Sequence, residues 1–158
     1  MEGAGRRSTS PPTCSPTWAV PSADGSVVYV ACNRGGHVLE IDRADWSVRR
    51  KIAAGAGPYN LALAPGGALL VATLKSGAGV QFFDLETGES ASITSSSTTL
   101  PHGVVISPDG RYAFVSVEGV GAEPGKVDIF DLKTFARVAD VDVGQQAGGI
   151  VFLRMEPN

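Results

Sequence analysis

The stretch LPHGVVISPDGRYAFVS, residues 100–116, contains two short apolar runs separated by the turn sequence SPDG. Two earlier stretches have the same layout without a gap: SPTWAVPSADGSVVYVA, residues 15–31, and GPYNLALAPGGALLVAT, residues 57–73. Asp-Gly and Gly-Gly supply the positive φ that a tight hairpin turn needs. Each of the three stretches therefore predicts a strand, a compact turn and a second strand.

The pattern recurs with a fixed period. Pro16, Pro58 and Pro101 lie 42 and 43 residues apart. A period in the forties indicates either four-stranded propeller blades or pairs of helices. The apolar runs are short, β-branched and aromatic, and no apolar spacing of 3.6 residues is present, which favours strands. The sequence thus predicts an all-β chain of β-propeller blades, each with four antiparallel strands.

A second repeated feature marks the end of the third strand of each unit. An aspartate ends HVLEID, GVQFFD and KVDIFD, and its carboxylate can accept backbone N–H groups two residues on, which opens the next turn. These aspartates are predicted to be structural, and they are Asp42, Asp84 and Asp131. The first strands are predicted at Trp18–Val20, Leu61–Leu63 and Val104–Ile106, and the fourth strands at Val48–Ala53, Glu89–Thr94 and Val138–Val143.

The repeats divide the chain into a leader and a partial propeller. Residues 1–15 are polar and proline-rich and are predicted to be a disordered leader. The blades are predicted at about residues 16–57, 58–100 and 101–146, and residues 147–153 restart the pattern as one extra inner strand. Propellers usually have about 4–8 blades, so three blades and one strand leave two apolar blade faces bare. A second copy of the chain, a separate partner or missing blades of a longer protein would cover them, and missing blades are favoured.

Composition excludes two classes of partner. The net charge is −3, and the 13 basic residues are scattered, so no cationic field for nucleic-acid phosphates is expected. No apolar run approaches the roughly 20 residues that cross a bilayer. Cys14 and Cys32 lie in neither a CxxC motif nor a Cys/His cluster of the sequence. A bridge between them is one alternative, but Cys32 is expected to pack as a small hydrophobic residue.

The repeated segments resemble a known family. SPDGRYAFVS and SADGSVVYVACN, followed by VLEID and VDIFD, are similar to the YVTN-repeat, or YncE-like, β-propellers. The resemblance covers about residues 16–153, and the chain departs from it where YVAC stands for YVTN and APGG for SPDG. It implies a bacterial protein located in the periplasm or outside the cell, although no export signal is visible in the sequence. The superfamily includes lactonases, quinone-linked dehydrogenase subunits, surface proteins and binding proteins.

Strand order predicts where a ligand would bind. In a four-stranded meander, the loops after the second and fourth strands emerge on one face, and the longer, variable loops of this chain belong to that set. Variable loops grouped at one mouth of a barrel-like fold are the usual ligand site. The residues predicted nearest the central channel are Tyr59, Asn60 and His102, and those farther out are Arg34, Lys75 and Glu118.

Four residues have side chains that could take part in catalysis or metal binding. His102 could be a ligand or a general base at the channel mouth, but a polar residue bonded to backbone is favoured. His37 has no second imidazole or carboxylate at ligand spacing. Glu118 and Glu123 could bind Ca²⁺ with help from carbonyl groups, but solvated carboxylates are favoured. The sequence therefore predicts no catalytic residue, no metal site and no cofactor.

The function predicted from these features is a binding or scaffold module that uses its loop-rich face for a ligand of unknown identity. The alternative is a propeller enzyme or enzyme subunit, either a lactonase-like hydrolase or a quinone-linked dehydrogenase subunit. A cell-surface or adhesion protein is a second alternative. Carboxylates, histidine or arginine converging at the channel mouth would favour the enzyme.

Overall fold

The computed structural model describes residues 14–154, and within this range it contains twelve β-strands and no helix. The strands form three four-stranded antiparallel sheets, each made of four consecutive strands in sequence order. These are the three predicted propeller blades, and they do not close into a ring. Blade 1 comprises β1 (Pro16–Pro21), β2 (Val27–Cys32), β3 (His37–Asp42) and β4 (Val48–Ala53); blade 2 comprises β5 (Pro58–Leu63), β6 (Leu69–Leu74), β7 (Gly79–Asp84) and β8 (Glu89–Ser95); blade 3 comprises β9 (Leu100–Ile106), β10 (Tyr112–Glu118), β11 (Lys126–Asp131) and β12 (Arg137–Asp142).

The compact turns form as the sequence predicts. Gly25, Gly67 and Gly110 each adopt a positive φ, of 69°, 78° and 70°, in the turn between the first and second strands of a blade. Each donates its N–H to the carbonyl oxygen three residues before it, at 2.8–2.9 Å. After the third strands, the carboxylates of the repeated aspartates accept the N–H of the second residue on. The three acceptor carboxylates belong to Asp42, Asp84 and Asp131.

One turn carboxylate is held strongly in its ionised form. The pKa of Asp24 is lowered to about 2, chiefly because the Ser22 hydroxyl donates a hydrogen bond to it and then because the Ser26 N–H and hydroxyl do so. Since the folded pKa lies below the unfolded one, this stabilisation is present above about pH 4 and is lost as the pH falls toward 2. Ser22→Ala is expected to raise the Asp24 pKa toward its ordinary value, as measured by an NMR pH titration.

An internal control for that titration lies in blade 3. The pKa of Asp109 is lowered, first by the Ser107 hydroxyl, in the equivalent turn. Ser22→Ala should leave the Asp109 pKa where it is. An Asp24 pKa that stays low in this variant would show that the Ser22 hydroxyl does not cause the shift.

The hydrophobic cores lie between the blades. One cluster joins blades 1 and 2 and includes Tyr29, Leu70 and Phe83, and the other joins blades 2 and 3 and includes Phe82 and Phe130. Because β6 and β7 carry apolar side chains on both faces, the middle blade is covered by a neighbour on each side. Stability therefore depends on blade interfaces, as in other repeat proteins.

Hydroxyl groups link each blade to the inner strand that follows. Thr73 of β6 donates to the carbonyl oxygen of His102 at 2.8 Å, and Ser116 of β10 donates to that of Gly148 at 2.6 Å. The equivalent residue of β2 is Ala31, which has no hydroxyl. There, Thr17 of β1 donates to the carbonyl oxygen of Tyr59 at 2.7 Å instead.

The segment after β12 corrects one expectation. The sequence predicts an extra inner strand at residues 147–153, but residues 143–154 contain no strand. Gly148 nevertheless accepts the Ser116 bond, and the ring of Phe152 lies 6.0 Å from that of Phe114, so the segment runs beside blade 3. An inner strand forms its backbone hydrogen bonds with the second strand of its own blade. The described residues contain no second strand that could pair with residues 147–153.

The cysteines correct a second expectation. Cys14 and Cys32 form a disulfide, with 4.4 Å between their Cα atoms, rather than free thiols. The bond forms because Pro16 pairs with Cys32 in the β1–β2 ladder, which brings Cys14 beside the end of β2. Cys14 and Ser15 are therefore held against blade 1, whereas the sequence predicts them as part of the leader. The rest of the predicted leader, residues 1–13, lies outside the described residues.

Candidate functional site

The longer loops gather on one face of the arc. They follow the second strands, at residues 33–36, 75–78 and 119–125, and the fourth strands, at residues 54–57, 96–99 and 143–149. Antiparallel order places all of them at the same end of the sheets. We refer to this end as the loop-rich face. The predicted ligand residues Tyr59 and His102 belong to the inner strands β5 and β9 rather than to the loops themselves.

Four of the six predicted ligand residues lie together on this face. The rings of Tyr59 and His102 are 4.6 Å apart between centroids, tilted by 58°. The Lys75 ammonium lies 4.6 Å above the Tyr59 ring, within the range of a cation–π contact. Lys75 Nζ also donates to Glu118 Oε1 at 3.1 Å. We refer to Tyr59, Lys75, His102 and Glu118 as the mouth cluster.

The mouth cluster is half-buried and joins two blades. The side chains of Lys75, His102 and Glu118 are each 23–26% exposed. Lys75 follows β6 of blade 2, whereas His102 and Glu118 belong to β9 and β10 of blade 3. The cation and the carboxylate offset each other, so the cluster presents an aromatic ring beside a paired charge rather than a field of one sign.

One ring nitrogen of His102 lies near the Glu118 carboxylate. Its Nε2 lies 3.4 Å from Glu118 Oε1, the same oxygen that Lys75 contacts. Its Nδ1 is buried and has no hydrogen-bond partner. Glu118 Oε1 therefore joins His102 to Lys75 of the neighbouring blade.

The other two predicted ligand residues lie apart from the cluster. Asn60 is buried in β5, and its backbone N–H donates to the Thr73 hydroxyl at 3.0 Å. Arg34 is exposed in the turn between β2 and β3 of blade 1. Asn60 therefore takes part in the blade structure, and Arg34 lies on the neighbouring blade.

The acidic loop of blade 3 does not assemble a calcium site. Glu118 is paired with Lys75, while Glu123 is exposed in the loop 119–125. An ammonium group 3.1 Å from the carboxylate occupies the position that a cation would need. Residues 14–154 do contain one group of three metal-type side chains, which lies elsewhere.

That group consists of Cys14, Cys32 and His37, whose sulfur and nitrogen ligand atoms all lie within 4.8 Å of one another. Cys32 and His37 are directly opposite in the β2–β3 ladder, and the disulfide adds Cys14. No metal spacing in the sequence pointed to these residues. Hairpin register was the available signal, since a four-residue turn between Cys32 and His37 pairs them across two strands.

A cavity of about 380 Å³ lies beside blade 3 and contains none of the predicted ligand residues. It opens between β10, β11 and the segment that follows β12. Its lining includes Ser116, Val127 and Ile150. It is on the side of blade 3 that faces away from blade 2, where an open propeller leaves its last sheet uncovered.

Comparisons with known proteins identify the fold. No family model and no curated protein matches the chain. Among solved structures, hydrazine synthase from Kuenenia stuttgartiensis is similar with a TM-score of 0.80 and 22% identity, over 93% of this chain and 41% of that chain. The structure of U3-55K and the WD40 repeats of RRP9 each match with a TM-score of 0.72 and 10% identity, over 84% of this chain and 40% of theirs.

The chain has a β-propeller fold. It spans about two fifths of the length of the structures it matches, at 41% and 40% of those chains. At these identities the likeness concerns the arrangement of blades and not the residues of a site. In the described residues, no helix is long and apolar enough to cross a membrane.

Proposed function

We propose that this protein is a binding module of the YVTN-repeat type, and that its loop-rich face binds a polypeptide partner at the mouth cluster. The observation that carries the proposal is the Tyr59 ring, whose centroid lies 4.6 Å from both the Lys75 ammonium and the centroid of the His102 ring. A ring held by two neighbouring side chains offers contact area at little cost in conformational entropy. Tyrosines in such positions commonly dominate protein interfaces.

The charges of the cluster favour a peptide over a small ion. Lys75 and Glu118 are already paired, so a simple anion or cation would have to break the ion pair in order to bind. A peptide offers backbone N–H and carbonyl groups as well as side chains of both signs. It can therefore contact the aromatic ring and both members of the pair without leaving a charge unpaired.

The enzyme alternative is favoured by one observation and opposed by another. A histidine and a carboxylate do converge at the channel mouth, and one structural neighbour is named a synthase. However, His102 Nδ1 is buried without a partner, and Nε2 faces a carboxylate that a lysine already holds. General base catalysis needs a nitrogen within reach of the substrate proton, and a substrate that approached Nε2 would have to displace the Glu118 carboxylate from it.

The disulfide supports a location in an oxidising compartment. Disulfides persist in the periplasm and outside the cell and are rare in reducing cytosol. Cys14 and Cys32 are joined in the folded chain. We therefore place the working protein in the periplasm or outside the cell, and we propose that further blades cover the open sides of blades 1 and 3.

A peptide selection tests the binding function. A random linear peptide library displayed on phage is selected against the wild-type chain, and the affinity of the best synthetic peptide is measured by calorimetry. Tyr59→Ala and Lys75→Ala are expected to weaken binding by about tenfold or more each, as interface anchors do. Lys133→Ala is the matched control, because Lys133 is exposed in the turn after β11 on the opposite face and should leave the affinity unchanged.

Three results would contradict the proposal. One is the absence of any enriched peptide, and another is an affinity that neither cluster variant changes. The third is turnover of a lactone or a quinone by the purified chain that is lost in His102→Ala with the fold intact, which would establish the enzyme instead.

A further inference from the structure

A buried histidine side chain in blade 1 has an unused ligand atom. His37 is 1% exposed, and its Nδ1 lies 2.7 Å from the carbonyl oxygen of Gly35. A carbonyl can only accept a hydrogen bond, so Nδ1 carries the proton and Nε2 holds a free lone pair. That Nε2 is buried and has no hydrogen-bond partner. Burying an unsatisfied polar atom costs about 1–3 kcal/mol, so the arrangement is not explained by packing alone.

A ring nitrogen of His37 lies beside two sulfur atoms. Sγ of Cys14, Sγ of Cys32 and the histidine nitrogen are all within 4.8 Å of one another, and both cysteines are 0–1% exposed. Ligand atoms around a tetrahedral Zn²⁺ lie about 3.5–3.8 Å apart, given bonds of about 2.0–2.3 Å. A histidine fixed through Nδ1–H to a backbone carbonyl is also the usual arrangement of a metal-binding imidazole.

We propose that Cys14, Cys32 and His37 form a redox-gated site for a thiophilic d¹⁰ ion, with Zn²⁺ as the probe ion. In the disulfide form the sulfurs have no thiolate to offer, and the site is closed. In the dithiol form two thiolates and one imidazole bind the ion and leave a fourth position for a further ligand. This proposal is independent of peptide binding at the mouth cluster.

Reduction of the Cys14–Cys32 disulfide needs a reductant, and a dithiol can supply the two electrons. Thiolate attack on the disulfide passes two electrons and two protons to Cys14 and Cys32, and the reductant becomes a cyclic disulfide. Zn²⁺ then displaces the two thiol protons and forms two Zn–S bonds and one Zn–N bond to His37. A newly synthesised chain that has not been oxidised reaches the same dithiol form without a reductant. Because oxidation joins the two sulfurs, the metal and the disulfide exclude each other.

The test is a metal titration of the reduced full chain. The chain is reduced with a phosphine, freed of reductant without oxygen, and its two thiols are counted with a chromogenic disulfide. Co²⁺ is then added, and we expect one ion per chain, with thiolate-to-cobalt charge-transfer bands and the visible bands of a tetrahedral ion, both removed by Zn²⁺. The oxidised chain should bind none. His37→Gln, which retains a donor for the Gly35 carbonyl, should bind at least about tenfold more weakly.

The role of His37 is tested against that of the second histidine of the chain. His102→Gln is the matched control, since it removes the other histidine and should leave the titration unchanged. If the reduced chain unfolds without metal, Zn²⁺ should restore its circular dichroism in the wild type and not in His37→Gln. Absence of metal uptake by chains with two counted thiols would overturn the proposal. Equal uptake by the wild type and His37→Gln would do so as well.

Discussion

Phe82→Ala is expected to lower the free energy of unfolding by about 3–5 kcal/mol, the range for removing a buried aromatic ring. Phe82 is 0% exposed between blades 2 and 3. Its ring stacks on Phe135 at 4.9 Å and meets Phe130 at 6.0 Å between centroids. Removing it leaves a cavity at the interface of two blades, where each sheet depends on its neighbour. Domains have about 5–15 kcal/mol in all, so this loss is a large fraction of the total.

Denaturant unfolding followed by circular dichroism measures the effect. Phe114→Ala is the matched control, because Phe114 lies in β10 of blade 3 but faces the open side, partly buried against Phe152. We expect its loss to be less than half that of Phe82→Ala. Equal losses at the two sites would show that the interface between blades 2 and 3 does not dominate stability.

Replacing both cysteines by serine is expected to lower the free energy of unfolding by about 3 kcal/mol. The disulfide closes a loop with a sequence separation of 18, and removing it frees the unfolded chain and releases Cys14 from β2. The same unfolding experiment measures the change. The wild type after phosphine reduction, without metal, should have the same stability as the double variant.

Added Zn²⁺ tests whether the two cysteines also stabilise the reduced chain by binding a metal ion. Added Zn²⁺ should recover part of the stability of the reduced wild type and none in the variant that lacks both thiols. A double variant as stable as the oxidised wild type would show that blade 1 does not depend on the bond. In that case the link between Cys14 and Cys32 would serve the gating of the site alone.

Most of the fold could be predicted from the sequence because the determining signals are local and occur three times. The positive φ at Gly25, Gly67 and Gly110 favours glycine, and each of these residues closes a turn between two apolar runs. The bounds of β2, β3 and β4 follow from the same repeated runs. One departure from the repeat is compensated in the structure. Ala31 lacks the hydroxyl of its equivalents, and the Thr17 hydroxyl makes the hydrogen bond to the next inner strand instead.

The parts that could not be predicted depend on contacts between segments. The disulfide depends on a register shift at the start of β1, which no composition signal reveals. The proximity of Tyr59, Lys75 and Glu118 depends on the angle between blades 2 and 3. The segment after β12 repeats the inner-strand pattern, but pattern alone does not supply a pairing partner. The sequence therefore predicts a loop-rich face, whereas which side chains meet on that face depends on how blades 2 and 3 pack.

The hydroxyl links of Thr73 and Ser116 give the arc a direction. Each donor belongs to one repeat, while its acceptor carbonyl belongs to the start of the next, at His102 or Gly148. Blades 2 and 3 thus carry the attachment point for the following segment at the same position of their second strand. A gene duplication that copied one whole repeat would insert both the donor and the acceptor. A propeller of this design can therefore change its number of blades without a new kind of contact between them.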